Sequence, residues 1–365
     1  MQHLNNLPEF NKLAADISSG ASGISVSGVT SSARADLIHT LLDKTRKSAF
    51  VVAENMYDAK ILYEDLCFYH GSDNVVLFPA KDYIFYNIET AALRINNDRL
   101  SVIDRILNQK DIIVVAPLDA VMQYTVPKEI YSKFLYEIKP GARFDFDELT
   151  HNLTVMGYKR SDCVEGVGQM NFRGGILDIF PPIYKNPIRI EFFDDEVETI
   201  RFFDAATQIS QNTTDFCRIT CSRELIYDDV NSIIEKINSY PKTDWTNRDI
   251  ERLEEEHYFP SADRYLPFIY KEIPSVLSYL NKDFVLFLDY PPALKSRAEA
   301  YEKEMLGILT QFAENDSMPL FDGAYLCDIN AIVGTSSASV ITISNVASDN
   351  DFVNVTKSYE IESRS

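Results

Sequence analysis

A loop near the N-terminus, between a predicted strand and a predicted helix, carries residue types that suit phosphate binding. Residues 27–35 read SGVTSSARA and can be aligned on the pattern G-x-x-x-x-G-K-S/T beginning at Gly28. In a working site of this type, backbone amides cradle the phosphates, the lysine neutralises them and the hydroxyl ligates Mg²⁺. Three of the four defining positions differ here, because Ala33 replaces the second glycine, Arg34 the lysine and Ala35 the hydroxyl residue.

Each replacement removes a physical requirement of nucleotide hydrolysis. The Cβ of Ala33 crowds the phosphate cradle, Arg34 is a poor steric match for a compact ammonium, and Ala35 cannot ligate a metal ion. The N-terminus of a helix still attracts an anion weakly. We therefore predict a P-loop that has lost hydrolysis, while weak nucleotide binding and a coincidental match stay open.

A second remnant of the same chemistry follows much later in the chain. Residues 284–290 read FVLFLDY, an apolar strand that ends in Asp289, where an acid would hold Mg²⁺ through water. Tyr290 stands where a glutamate would position the attacking water. Many buried strands end in aspartate, so this strand is weak evidence on its own. Together with the altered loop, it predicts a degenerate nucleotide site.

A different chemistry, protein recognition, is suggested by residues 158–204. The segment 188–193, IRIEFF, alternates as a half-buried strand does, and residues 194–195 supply a hairpin turn. Phe193 falls on the polar face beside Arg189, a combination typical of interface anchors. The pattern alone leaves a second interpretation open, in which Phe193 packs beneath a loop and Arg189 pairs with an acid.

Composition limits the partners that such a surface could bind. The chain has 365 residues, with 35 Lys and Arg against 55 Asp and Glu, which gives a formal net charge of -20. A chain of this charge repels phosphate backbones, so direct DNA binding is disfavoured. The hydrophobic fraction of 45% permits two or three domains with cores of their own.

Cysteines, histidines and apolar runs give no sign of a metal site or a membrane segment. The spacing of Cys217 and Cys221 is more typical of two buried thiols than of a zinc site, because no second pair and no histidine lies near. The five histidines show no metal-binding spacing. The first residues lack the features of a signal peptide and no apolar run reaches membrane length, so we expect a cytoplasmic protein.

The pattern of helices and strands changes twice along the chain. Up to about residue 125, amphipathic helices alternate with apolar strands, which predicts an α/β fold with a parallel sheet covered on both faces. Residues 126–222 carry the antiparallel signals of a smaller α+β unit. From residue 223 the alternation returns, with helices predicted at 230–237, 245–256, 265–280 and 292–311 and a strand at 325–328.

Two motifs in the middle of the chain resemble a known family. Residues 164–182, V-x-G-x-G-Q-x-N-F-R-G-G-I-L-D-I-F-P-P, and the segment IRIEFFDDEVETIRFFD at 188–204 resemble the module shared by UvrB and the transcription-repair coupling factors (Mfd) of bacterial excision repair. The resemblance extends over about 26–346 and is strongest over 157–208. The degenerate nucleotide motifs favour the N-terminal UvrB-like region of Mfd. The stretch 82–99 is also too short and aromatic-poor for the DNA-clamping hairpin of UvrB.

The resemblance implies an architecture. Segments 1–125 and 223–350 should fold together as a helicase-like (P-loop/RecA-type) parallel-sheet domain. The smaller α+β domain, 126–222, should be inserted between them. Residues 351–365 should form a linker to following domains.

The resemblance also implies a partner. In this family the inserted module binds UvrA in transcription-coupled nucleotide excision repair, and the matching contact residues are Arg173, Arg189, Phe193 and Asp195. The region would need no cofactor, since ATP and Mg²⁺ would serve motor domains of the full-length protein, which would also meet RNA polymerase and DNA. A C-terminal domain would cover the UvrA surface until the motor engages. The alternative function is a nucleotide-binding or DNA-binding helicase-like domain of UvrB type.

Overall fold

A computed structural model describes residues 4–81, 89–227, 229–256, 259, 261–315, 319–347 and 352–361. The strands, in chain order, are β1 (Ile24–Ser27), β2 (Ser48–Ala53), β3 (Val75–Leu77), β4 (Ile113–Pro117), β5 (Tyr136–Ile138), β6 (Lys159–Arg160), β7 (Gln169–Arg173), β8 (Ile176–Ile179), β9 (Ile188–Phe193), β10 (Glu196–Phe203), β11 (Ser210–Thr213), β12 (Cys217–Ile219), β13 (Phe284–Asp289), β14 (Ser339–Ile343) and β15 (Lys357–Glu360).

Helices separate most of these strands. The α-helices are α1 (Pro8–Ser18), α2 (Arg34–Thr45), α3 (Met56–His70), α4 (Glu89–Asn108), α5 (Leu118–Met122), α6 (Lys128–Lys133), α7 (Phe146–Val155), α8 (Val230–Asn238), α9 (Asp244–Glu256), α10 (Leu266–Ile269), α11 (Pro291–Glu314) and α12 (Ile329–Gly334). Short 3₁₀ turns cover Leu4–Asn6, Ser31–Ala33, Ala262–Tyr265 and Val276–Tyr279.

The larger sheet is parallel and has the strand order β15-β1-β14-β13-β2-β4-β3. Its central strands are buried along their whole length, because helices cover both faces. On β2, Val51 faces the core beneath α1, α2 and α3, whereas Phe50 and Val52 face the core on the other side. The predicted helicase-like α/β fold with a separate smaller sheet is therefore confirmed.

The smaller sheet has the order β11-β10-β9-β8-β7-β6, antiparallel except for the pair β6 and β7. Helix α7 packs on one face, where Leu149 and Leu153 share a core with Leu177 and Ile190. That core is continuous with one side of the larger sheet. A two-stranded ladder of β5 and β12 lies close to the points where the chain enters and leaves this unit.

Buried charges join the exit from the smaller unit to the first part of the larger one. Glu224 lies 2.9 Å from the Nε of Arg99 and 2.9 Å from the Nζ of Lys81. Burial alone would raise the pKa of Glu224, but Arg99 and Lys81 together lower it. Burial lowers the pKa of Lys81 to about 8. Charges this deeply buried require their partners, so this cluster fixes the junction.

Three local predictions differ from the structure. The predicted helix at 265–280 is interrupted after α10, since Pro274 lacks an amide hydrogen and restricts the preceding residue. The predicted strand at 325–328 is irregular, and Cys327 instead donates its amide to the carbonyl of Met122 at 2.7 Å. Residues 357–360, assigned to a linker, form the edge strand β15, because Tyr359 and Ile361 are buried.

Candidate functional site

Two tight hairpins bring three of the predicted contact residues, Arg173, Phe193 and Asp195, to one end of the smaller sheet, whereas Arg189 lies near the other end of β9. The first joins β7 to β8 through Gly174 and Gly175, whose φ angles are 58° and 76°. A two-residue turn with two positive φ angles fits the twist of a hairpin, and glycine adopts it without steric cost. A Cβ on Gly175 would lie 3.2 Å from the carbonyl oxygen of Phe192, so the neighbouring strand also restricts this position.

The second hairpin joins β9 to β10 through Asp194 and Asp195, as predicted. Asp194 has a φ of 57°, in the left-handed region that aspartate tolerates better than most residues. The amide of Phe192 donates to the carbonyl of Gly175 at 2.8 Å, so both turns lie at the same end of the sheet.

Strand β9 alternates as the sequence predicts. Its buried side chains are Ile188, Ile190 and Phe192. The ring of Phe192 lies 5.1 Å from that of Phe146, on the face that α7 covers. Phe193 is 76% exposed, on the opposite face. Phe193 therefore does not pack beneath a loop.

Arg189 is held by an acid, as the second interpretation of the sequence predicts. Its Nε lies 2.7 Å from Oδ1 of Asp178 and its Nη2 lies 2.8 Å from Oδ2. The two residues are directly opposite one another on β8 and β9. The guanidinium carbon also lies 4.8 Å from the ring centroid of the buried Phe203. The hydrogen bonds to Asp178 raise the pKa of Arg189.

The remaining predicted contacts differ in how firmly they are held. Arg173 is exposed and makes no side-chain hydrogen bond or ion pair with any residue that the structure describes. Asp195 is half-exposed, with its Oδ1 3.3 Å from Nη1 of Arg143. Arg143 also contacts Glu196, Nη2 to Oε2, at 2.8 Å. The sequence alone does not indicate Arg143, because its partners lie on a different segment.

Cross-strand register places three of the four predicted residues on one face, which we call the outer face of the smaller sheet. Arg173 lies opposite Ile176, and Ile176 lies opposite Glu191. Directly opposite residues share a face, and Glu191 shares it with Arg189 and Phe193 by alternation. The outer face thus presents two arginines and an exposed aromatic ring at the hairpin end, with Asp195 in the adjoining turn.

The loop that the sequence predicts to be an altered P-loop follows β1 at the carboxyl edge of the parallel sheet. Gly28 has a φ of 82°, which a residue with a side chain rarely adopts. The loop then forms the 3₁₀ turn Ser31–Ala33, in which the amide of Ala33 donates to the carbonyl of Thr30 at 3.0 Å. Ala35 is buried in the first turn of α2. The amide of Ala33 is therefore engaged within the loop.

Arg34 and Asp289 come together across this edge. The Nη1 of Arg34 pairs with Oδ2 of Asp289 in a short contact. Burial raises the pKa of Asp289 to about 6, although Arg34 acts in the opposite direction. The second carboxylate oxygen, Oδ1, has no hydrogen-bond partner among the described residues. The two charged residues that the sequence predicts in a degenerate nucleotide site thus pair with one another.

Tyr290 directly follows this pair and has an unusual backbone. Its φ is 52°, in the left-handed region, where an aromatic residue is strained. Its amide donates to the carbonyl of Ile343 at 2.8 Å, which fixes the turn into α11. The side chain is 41% exposed at the same edge as Arg34. A phenol here cannot act as the carboxylate base that the motif otherwise provides.

Three further sequence predictions concern metal, thiols and membrane. Among the described residues, no group of three or more His, Cys, Asp or Glu side chains could hold a metal ion. Burial raises the pKa of Cys217 and of Cys221 to about 12, as expected for buried thiols. Within the described part of the chain, no helix combines the length with the apolarity that crossing a membrane requires. The stretch 82–88, contrasted with the UvrB hairpin, lies outside the described residues.

The fold and the inserted sheet define a class, the helicase-like α/β domains that carry a smaller sheet domain within them. Residues 136–225 match the family model described as UvrB interaction domain. This match contains the whole of the smaller sheet and its outer face.

The relatives narrow the class further. The chain is 30% identical over 335 residues to the transcription-repair-coupling factor of Bacillus subtilis. The matched region covers 85% of this chain and 28% of that protein. The factors of Staphylococcus aureus and Staphylococcus haemolyticus are each 26% identical, over 81% of this chain and 27% and 26% of their own lengths. The chain spans less than a third of the curated relatives it matches. These matches confirm the predicted resemblance to the UvrB-like region of these factors.

Proposed function

We propose that this chain is a non-catalytic, UvrA-recruiting region of a transcription-coupled nucleotide excision repair factor. The match to the UvrB interaction domain and the names of the relatives support this assignment. The partner surface is the outer face of the smaller sheet, with Arg173, Arg189 and Phe193 as its contacts and Asp195 at its margin.

The exposure of Phe193 carries the proposal. Phe193 is 76% exposed at the turn end of β9, although the preceding residue, Phe192, is buried. An aromatic ring that shares a face with arginines has the composition of an interface hot spot, because the face then contributes apolar area and hydrogen-bond donors together. Arg173 has donors available for a carboxylate on the partner.

The ion pair of Arg34 with Asp289 supports the non-catalytic part of the proposal. Hydrolysis requires a cation at the phosphates and a metal held near an acid. In this chain the cation and the acid neutralise one another, and Ala35 has no metal ligand to offer. The region would then need no cofactor of its own.

For the full-length protein, the resemblance supports a wider proposal. The remainder would include an ATP- and Mg²⁺-dependent translocase that acts on DNA and displaces stalled RNA polymerase in the cytoplasm. This region would connect that motor to damage recognition by binding UvrA. Its acidic balance, a formal net charge of -20, suits a module that binds protein while DNA is handled elsewhere.

The decisive experiment is a titration of the chain with purified UvrA by calorimetry or fluorescence anisotropy. Phe193→Ala and Arg173→Ala should each weaken binding by more than ~1 kcal/mol while the unfolding temperature stays unchanged. Phe68→Ala is the matched control, since this phenylalanine is 83% exposed on α3, away from the smaller sheet. Unchanged affinity in both test variants would remove the outer face as the UvrA site, and no binding by the wild-type chain would remove the proposed function.

The alternative, a nucleotide-binding or DNA-binding domain of UvrB type, makes a different prediction. DNA binding would appear as an affinity that falls steeply with salt concentration, because counterions are released from the phosphates. Duplex and single-stranded oligonucleotides titrated at low ionic strength test this. A steep salt dependence would favour the alternative over a protein-binding role.

A further inference from the structure

We propose that Asp178 is a positioning residue of the UvrA surface, which holds the guanidinium of Arg189 in the orientation that the partner binds. The inference rests on the proposed function and adds a residue to it. Asp178 is not among the predicted contacts, and at 8% exposure it does not itself reach a partner readily.

The contacts with Asp178 fix the plane of the Arg189 guanidinium. Two parallel hydrogen bonds, of 2.7 and 2.8 Å, join Nε and Nη2 of Arg189 to the two oxygens of Asp178. A bidentate pair of this type sets the direction of the guanidinium as well as its distance. The register pairing of the two residues on β8 and β9 fixes their backbones too.

The buried ring of Phe203 supports the arginine from a third direction. The guanidinium carbon lies 4.8 Å from the centroid of this ring, which is 0% exposed and packs with Val164 and Phe180. Arg189 is therefore confined by an acid at its edge and by an aromatic ring. A side chain that is already ordered loses less conformational entropy when a partner binds it.

The donors that point away from Asp178 remain available to a partner. Nη1 of Arg189 makes no hydrogen bond to any residue in the described part of the chain, and the side chain is 23% exposed. Glu191, the next residue along this face, accepts from Thr199 at 2.8 Å and pairs with Arg201. Glu191 is thus engaged elsewhere, and Arg189 can offer Nη1 to an oxygen acceptor on UvrA.

An electrostatic role and a positioning role predict opposite changes in UvrA affinity when Asp178 loses its charge. If Asp178 only reduced the positive charge of the surface, Asp178→Asn would strengthen binding to an acidic site on UvrA. If Asp178 orients Arg189, the same substitution should weaken binding, because one of the two strong hydrogen bonds is lost and the guanidinium can rotate. The direction of the change therefore separates the two roles.

The test is a double-mutant cycle measured as UvrA affinity. Asp178→Asn should weaken binding about fivefold or more, and Asp178→Asn combined with Arg189→Ala should lie within about twofold of Arg189→Ala alone. The control is Asp119→Asn, which breaks a bidentate pair of similar geometry and exposure with Arg297 in the other domain and should leave affinity unchanged.

Affinity unchanged or increased in Asp178→Asn overturns the positioning role, and so does a loss that adds fully to that of Arg189→Ala. These outcomes leave the proposed function intact if the wild-type chain binds UvrA and Phe193→Ala binds it more weakly. Failure of the wild-type chain to bind removes both.

Discussion

The guanidinium of Arg34 and the carboxylate of Asp289 form an ion pair that joins the first residue of α2 to the last residue of β13. In a working P-loop protein, these places hold the lysine that meets the phosphates and the acid that holds Mg²⁺. Here the two side chains pair with one another, so each charge is already neutralised within the chain. A nucleotide with its metal ion would first have to separate a pair whose acid is buried.

Mg-ATP is expected to leave the unfolding temperature of the chain unchanged. The reason is the Arg34–Asp289 pair together with the missing metal ligand at Ala35. A ligand at 100 times its dissociation constant would stabilise the fold by roughly 2.7 kcal/mol, which a thermal-shift assay detects. A shift in the wild-type chain that disappears in Arg34→Ala would mean that the site still binds nucleotide.

Asp289→Asn is expected to stabilise the chain at pH 8. Burial raises the pKa of Asp289 from 3.8 to about 6, so its ionisation opposes folding. The cost is absent below the ordinary pKa, grows between about pH 4 and 6 and is complete above that. The corresponding stabilisation by asparagine is roughly 1–3 kcal/mol.

Chemical denaturation of both proteins from pH 4 to pH 8 measures this difference, and the difference should vanish toward pH 4. Asp283→Asn, an exposed position just before β13, serves as the control and should show no comparable change. If Asp289→Asn is less stable at pH 8, the attraction of Arg34 outweighs the cost of burial.

Several features of the fold and of the surface could be predicted because they depend on local patterns. The continuous apolar runs of β2, β4 and β13 predicted buried parallel strands, which follow from helices on both faces. The alternation in IRIEFF predicts that Phe193 lies on the other face of the sheet from the buried Phe192. Both inferences need only the period of side chains along a strand.

Other features depend on contacts between segments, which the sequence does not reveal. Asp178 and Arg189 are 11 residues apart and meet only through the register of β8 and β9. Asp178 did give a signal, as a lone acid in the apolar run 176–180, but not the identity of its partner. The sequence of β15, KSYE, has one buried residue, so no pattern separated it from a linker.

Arg189→Ala is expected to destabilise the chain itself. The substitution leaves the carboxylate of Asp178, 8% exposed, without its bidentate partner. Because Arg189 is partly exposed, the loss of stability should be roughly 2 kcal/mol, less than for a fully buried pair. Denaturant titration measures it, and adding Asp178→Asn should restore part of the loss. A single variant as stable as the wild type would show that water replaces the arginine at little cost.

The glycine turn between β7 and β8 should tolerate substitution unequally. Gly174 and Gly175 both have positive φ angles, but an added Cβ at Gly174 meets no atom within 4 Å, whereas at Gly175 it lies 3.2 Å from a backbone oxygen. Gly174→Ala should cost about 1 kcal/mol and Gly175→Ala about 1–2 kcal/mol more, as measured by thermal unfolding. Equal losses would indicate that the neighbouring strand shifts to make room.

Substitution of Tyr359 tests whether β15 is part of the folded domain. Its side chain is 7% exposed, its hydroxyl donates to the carboxylate of Asp16 on α1, and its strand pairs with β1. Tyr359→Ala should lower the free energy of unfolding by about 3 kcal/mol, because it leaves a cavity beneath the sheet edge. Tyr359→Phe keeps the ring and should cost only about 1 kcal/mol.

Val355→Ala is the control for Tyr359, since Val355 precedes β15 and is 37% exposed. Its effect on the free energy of unfolding should stay within about 0.5 kcal/mol. If Tyr359→Ala is as stable as this control, residues 351–361 behave in solution as the linker that the sequence predicts. A large loss in Tyr359→Ala alone would instead place the boundary of the folded domain after Ile361, because Ile361 is also buried and donates its amide to Ser27 at 2.9 Å.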